Sequence, residues 1–160
     1  MLTLGVDPGT ATTGYGLIAE KGEKLVFVDH GVILTSSKET AQSRLRNIYV
    51  EIKKLIKKHR PEAIAIEKLF FGANTKTAIA VGQARGMTLL AAAEAKVPVA
   101  EYTPLEVKMA VTGYGKADKK QVQQMVKTLL GLAIVPKPDD AADALAIAIC
   151  HLHSYKVLAL

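Results

Sequence analysis

Leu2-Thr3-Leu4-Gly5-Val6-Asp7 and, later in the chain, Ala63-Ile64-Ala65-Ile66-Glu67 are two apolar runs of strand length that each end on an acid. A short apolar run bounded by turn residues reads as a buried strand. Here Pro8-Gly9 follows the first run and Pro61 precedes the second. Working outward, Thr13 to Ala19 and Lys24 to Leu34 read as further strands divided by the Lys21-Gly22 turn, so the chain opens as an antiparallel meander. Ser36-x-x-Glu39 is a capping-box pattern, and Leu45, Ile48, Ile52 and Leu55 follow on one helical face, which predicts a helix from there to about Arg60. Its opposite face carries Arg46, Lys53, Lys54, Lys57 and Lys58.

Beyond Glu67 and the Phe70-Phe71-Gly72 turn, Asn74 can cap a second helix to about Ala95, and Val97 to Ala100 resumes as a strand. Helical stretches are expected over Pro104 to Val111, Asp118 to Leu130 and Asp140 to His153, with breaks at Gly113-Tyr114-Gly115 and Pro136-Lys137-Pro138. A meander followed by helical crossovers to parallel strands gives an α/β fold, a mixed five-stranded sheet flanked by helices.

With 160 residues, 49% hydrophobic and 22% charged, the chain is expected to form one domain over residues 1–160 with a full core. Cys150 is the sole cysteine, which excludes disulfides within the chain and cysteine-based zinc sites. No apolar stretch approaches the roughly 20 residues of a membrane span, and the Met1-Leu2-Thr3-Leu4 start lacks the basic residues of a signal peptide, so a cytoplasmic, membrane-free protein is expected. A net charge of +6 favours a polyanionic partner, because neutralised phosphates release counterions.

An ionised carboxylate taken out of water costs several kcal/mol unless it is paired or holds a metal. Parallel strands would set Asp7 and Glu67 at one sheet edge, where ligands of open α/β sheets gather. Asp140 and Asp143, spaced i, i+3 at the start of the last helix, can share one ion, although acids are also favoured there by capping and the helix dipole. Asp139 and Asp143 share a face equally well, so spacing leaves the choice between them open. His30, His59, His151 and His153 lack zinc-ligand spacing and are expected at the surface, while Cys150 is expected in the core.

Lys108, Lys116, Lys119 and Lys120 surround Thr112-Gly113-Tyr114-Gly115, which suits a loop that meets phosphates or, more simply, a solvated basic loop. Phe70, three residues after Glu67, is placed either to stack on an unpaired base or to pack under its loop.

Asp7-Pro-Gly-Thr10, Ile66-Glu67, Gly82-Gln-Ala-Arg-Gly86 and Asp140-Ala-Ala-Asp-Ala-Leu-Ala146 occur in this order in one family, and over nearly its whole length the chain resembles the RuvC Holliday-junction resolvases. The resemblance implies a ribonuclease-H-like, or retroviral-integrase-like, fold. It implies catalytic and metal-binding roles for Asp7, Glu67, Asp140 and Asp143, and leaves Asp139 as a helix cap. It puts Lys108 and Lys119 close to the scissile strand, supports Phe70 as a DNA contact, and implies four-way junction DNA and a RuvA–RuvB assembly as partners. Carboxylate and water donors select hard ions, so two Mg²⁺ per site are expected, with Mn²⁺ as substitute and Asp7 as the bridging ligand. Paired cuts in a two-fold symmetric junction call for a homodimer. The second helix offers Ala78, Gly82, Ala84, Gly86 and Ala91 for close approach and Ile79, Met87 and Leu90 for apolar burial, against either a second copy or its own sheet.

Two other readings compete. Asp7-Pro8-Gly9-Thr10 with Thr12-Thr13-Gly14 resembles the first phosphate loop of actin-like ATPases and sugar kinases, but the chain has no second copy of that loop. A non-catalytic junction-binding module of the same fold would not need all four acids.

Overall fold

The computed structural model describes residues 1–69 and 75–158, with side chains through Tyr155. Its element order is β1 (Leu2–Asp7), β2 (Thr12–Lys21), β3 (Lys24–Leu34), α1 (Ala41–His59), β4 (Ala63–Glu67), α2 (Thr75–Ala95), β5 (Val99–Tyr102), α3 (Pro104–Thr112), α4 (Lys119–Leu129) and α5 (Asp139–Leu158). The strands form a five-stranded sheet of order β3-β2-β1-β4-β5. β1, β2 and β3 pair antiparallel, whereas β4 runs parallel to β1 and β5 parallel to β4, giving the mixed sheet expected from sequence.

Residues alternate between the two faces of a strand. Leu4, Val6, Leu17, Ile64 and Ile66 point to one side, where they pack with Ile48, Ile52 and Ile56 of α1 and Ala84, Ala91 and Ala92 of α2. The other side belongs to a second core, in which Ile18, Ala65 and Tyr102 meet Val107 and Val111 of α3, Val126 of α4 and Leu145 to Cys150 of α5. Asp7 and Glu67 have the parity of Gly5 and Ala65 and therefore emerge on the α5 side.

On that side α5 runs so close to the sheet that a Cβ at Gly5 would lie 2.0 Å from the Ala144 carbonyl oxygen, and one at Gly14 2.0 Å from that of Asp140. Glycine in a strand interior marks such close backbone approach. Gly14 pairs with Asp7 across β1 and β2, so the start of α5 is pinned beside the end of β1.

Several boundaries and environments differ from the expectations. α1 begins at Ala41, not near Ser36, because Thr40 is its N-cap and accepts from the Ser43 N–H. The Ser36 and Glu39 pair instead closes a separate turn, in which the Ser36 N–H donates to Glu39 Oε1. β5 starts two residues beyond Val97, after Pro98, which has no N–H for the ladder but accepts from the Ile64 N–H through its carbonyl. Asp139 is the first residue of α5 rather than its cap; the Pro138 carbonyl takes the Ala141 and Ala142 N–H groups, and the Asp139 carboxylate turns to Lys137 at 3.0 Å. His151 is buried, contrary to a surface assignment, since its Nδ1 meets the Tyr102 hydroxyl at 2.8 Å and its ring stacks on Tyr155. Cys150 is buried as expected, and burial pushes its thiol up to about 11. The expected Asn74 cap lies outside the described residues.

Candidate active site

Asp7 and Glu67 end neighbouring parallel strands whose register sets Val6 beside Ile66, so the two acids follow side by side. The turn after Asp7 is held by Thr13, whose hydroxyl donates to the Gly9 carbonyl at 2.7 Å, and by the Thr35 hydroxyl on the Thr10 carbonyl. From across the sheet α5 brings Asp143. Asp7, Glu67 and Asp143 line one cavity of about 270 Å³ together with Lys108, Lys119, Pro104, Val107 and Ala117.

Both lysines are delivered by capped helices. Thr103 and Glu106 form a capping box that starts α3 and orients Lys108. Asp118 and Gln121 form another, which makes Lys119 the first residue of α4. The Lys119 ammonium lies 3.1 Å from Asp143 Oδ2 and 3.8 Å from Asp139 Oδ2.

Burial pushes the Asp7 carboxyl up to about 7, and the negative charges of Asp143, Glu67 and Asp140 add to this. Burial likewise raises Glu67, helped by Asp143 and opposed by the charge of Lys108. Asp143 is raised by burial against the opposing hydrogen bond from Lys119. Three partly buried carboxylates that repel one another form a centre short of positive charge.

The donors are carboxylate oxygens without thiolate or imidazole, a set that suits a hard cation. A divalent ion would relieve the repulsion that holds Asp7 so high, so the residues fit such a cation in donor type and in charge. Among the described residues, no three acidic, histidine or cysteine side chains are gathered tightly enough to grip an ion as they stand, so the carboxylates must turn inward to do so.

Of the other residues singled out in the sequence, Asp140 is one turn from Asp143, outside the cavity lining, but its charge is felt by Asp7 and Lys119. Lys120 lines an adjoining groove with Tyr114, Gln124 and Met125, and Lys116 is exposed on the connecting loop. Phe70 lies outside the described residues. The missing side chains of Gly5 and Gly14 let the start of α5 approach the strands that carry the site, a role that glycine inside a strand pattern signals through close backbone approach.

The family model described as crossover junction endodeoxyribonuclease RuvC matches residues 3–151. The chain belongs to the RuvC family. It is similar to the crossover junction endodeoxyribonuclease RuvC of Desulfitobacterium hafniense (strain DSM 10664 / DCB-2), with 59% identity over 158 residues, covering 99% of this chain and 96% of that protein. The RuvC of Syntrophomonas wolfei subsp. wolfei is 54% identical over 98% of this chain and 91% of its own length. Among solved structures, T. thermophilus RuvC in complex with Holliday junction substrate superposes with a TM-score of 0.94 at 40% identity, covering 98% of this chain and 96% of that one. The ribonuclease-H-like α/β arrangement expected from the motifs is thereby borne out.

Proposed function

We propose that this RuvC-family chain is a crossover junction endodeoxyribonuclease, a single nuclease domain over residues 1–160 that resolves Holliday junctions by metal-dependent phosphodiester hydrolysis in homologous recombination and DNA repair. The observation that carries the reading is the cavity in which Asp7, Glu67 and Asp143 converge from three elements beside Lys108 and Lys119. Relatives sharing more than half of the sequence bear that enzyme name, and the superposable T. thermophilus RuvC was solved with a Holliday junction.

In this mechanism Asp7, Glu67, Asp140 and Asp143 would hold two Mg²⁺ ions, or Mn²⁺ in their place. When bound, such ions supply an activated water and relief of charge on the leaving oxygen. Asp7 and Glu67 on the rigid strand ends, with Asp143 carried by α5, would fix where the ions' positive charge meets the reacting phosphate. Lys108 and Lys119 bring positive charge to the phosphate where negative charge builds in the transition state. Lys116 and Lys120 extend that charge along the strand, and Phe70 stacks on a base opened at the branch point.

Symmetric incision calls for two copies, and α2 supplies a surface for pairing because Ile79 and Leu90 are 56% and 47% exposed. A homodimer acting in the cytoplasm with a RuvA–RuvB assembly completes the reading. None of the helices among the described residues is long and apolar enough to cross a membrane.

The direct experiment is incubation of a synthetic mobile four-way junction with and without Mg²⁺, with nicks mapped on all four strands. Paired nicks at symmetric positions in opposing strands, dependent on the metal, are expected. Uncut junctions in Mg²⁺ and Mn²⁺ with intact binding would leave only a junction-binding module.

A further inference from the structure

Lys119 stands apart from the other cations around the cavity. Its backbone is fixed at the first turn of α4 by the Asp118 and Gln121 capping box, and its ammonium is spent on a carboxylate of the site itself, Asp143, at 3.1 Å. The alternative partner, Asp139, is farther away at 3.8 Å and is already held by Lys137 at 3.0 Å. Lys108 lines the same cavity and acts on Glu67 through its charge alone.

We propose that Lys119 and a divalent cation compete for Asp143, so that ion loading expels the Lys119 ammonium from the carboxylate and releases it to the substrate phosphate. This rests on the metal-dependent reading above. With Asp143 paired to the ammonium, no three acidic side chains among the described residues are gathered tightly enough to grip an ion, although the Asp143 charge is felt by both Asp7 and Glu67. Magnesium binds carboxylate oxygens at about 2.0–2.1 Å in a strict octahedron, and a doubly charged ion so placed repels an ammonium within a few ångströms. One of the two must leave. The lysine can, because it is 55% exposed on a flexible stem whereas Asp143 is fixed on a packed helix. The expelled charge stays within reach of the cavity it lines, so arrival of the ions and delivery of a cation to the phosphate become one event.

The test is calorimetric titration of Mn²⁺ into the full chain without DNA, comparing wild type, Lys119→Gln and Lys108→Gln. Both variants remove one positive charge from the same cavity, but only the first removes the ion pair. Lys119→Gln is expected to bind Mn²⁺ about three- to fivefold more tightly than wild type, in keeping with a partly exposed ion pair, and Lys108→Gln by less than about twofold. Equal affinities of wild type and Lys119→Gln, or equal tightening by both variants, would overturn competition while leaving the carboxylate metal site standing. An absence of Mn²⁺ binding by all three proteins would remove that site and the inference together. A second readout is the Lys119 side-chain ammonium resonance, which should move during a Mg²⁺ titration at the midpoint of ion binding; a resonance still reporting the Asp143 contact at saturation counts against the proposal.

Discussion

Asp7 has a titration in the middle of the physiological range, and this has a thermodynamic sign. Its folded pKa, about 7, lies above the ordinary 3.8, so the fold prefers the protonated acid, and stability falls as pH rises from the lower value through the higher. Without metal, Asp7→Asn should therefore stabilise the protein at pH 8 by ~1–3 kcal/mol, and the gain should shrink at pH 5, where folded Asp7 is already protonated. Thermal unfolding in EDTA at both pH values measures this. The same variant should lose Mg²⁺-dependent cleavage while keeping junction affinity, and a variant that cuts normally would remove Asp7 from the chemistry. A site whose acids cost stability until charge arrives is what strand-end carboxylates in apolar runs lead one to expect. Asp7 and Glu67 were legible because an acid closing a buried run has few structural uses. The choice between Asp139 and Asp140 was not legible from spacing, since both lie in the first turn of α5. Asp139 pairs with Lys137 at 3.0 Å, a local contact with no periodicity to reveal it.

At the level of elements, the decisive contact is main chain against main chain. Gly14→Ala would drive a methyl group toward the Asp140 carbonyl and lift the start of α5 from the sheet. It should cost about 1–3 kcal/mol in stability, as overpacking does. Cleavage should suffer disproportionately, by up to about a hundredfold, because displacement of a catalytic group by about 1 Å is enough for that. Unfolding and single-turnover rates measured together separate the two effects. On the same face, Tyr102→Phe would leave the buried His151 Nδ1 unpaired, for a loss of about 1–3 kcal/mol. Burial lowers the His151 pKa below its ordinary 6.5, so its contribution is present above that value and is lost as pH falls below it. His151→Gln should flatten the acid limb of the stability profile between pH 6.5 and lower values. The elements themselves were largely readable from periodicity: β1 and β3 fall where the apolar runs put them, and α3 and α4 within a residue or two. The start of α1 was not, because Ser36 and Glu39 use the capping chemistry of a helix to close a turn, and the true cap is Thr40. His151 was misplaced because a histidine's polarity suggests solvent, while its partner Tyr102 is remote in sequence and meets it only through folding.

For the molecule as a whole, the net charge of +6 and the lysines around the cavity predict an association that weakens with salt. Lys116→Ala with Lys120→Ala should reduce the slope of log affinity for a four-way junction against log salt by about one to two, and an unchanged slope would place these lysines off the DNA. Ile79→Glu, on the exposed side of α2, should shift sedimentation from dimer toward monomer at micromolar concentration; a wild-type monomer would instead return α2 to a purely internal role.

The alternation that puts Leu4 and Val6 under α1 and α2 and Asp7 under α5 also governs which genetic changes this stretch can absorb. Exchange of one apolar residue for another between Leu2 and Val6 leaves each position on its own side. Removal of a single codon there would slide Asp7 to the wrong side of the sheet or pull it short of Glu67, and no replacement elsewhere could restore it. The hairpin tip at Gly22, open to solvent, carries no such restriction. Descendants of this gene should therefore vary in length at the hairpin and never within β1.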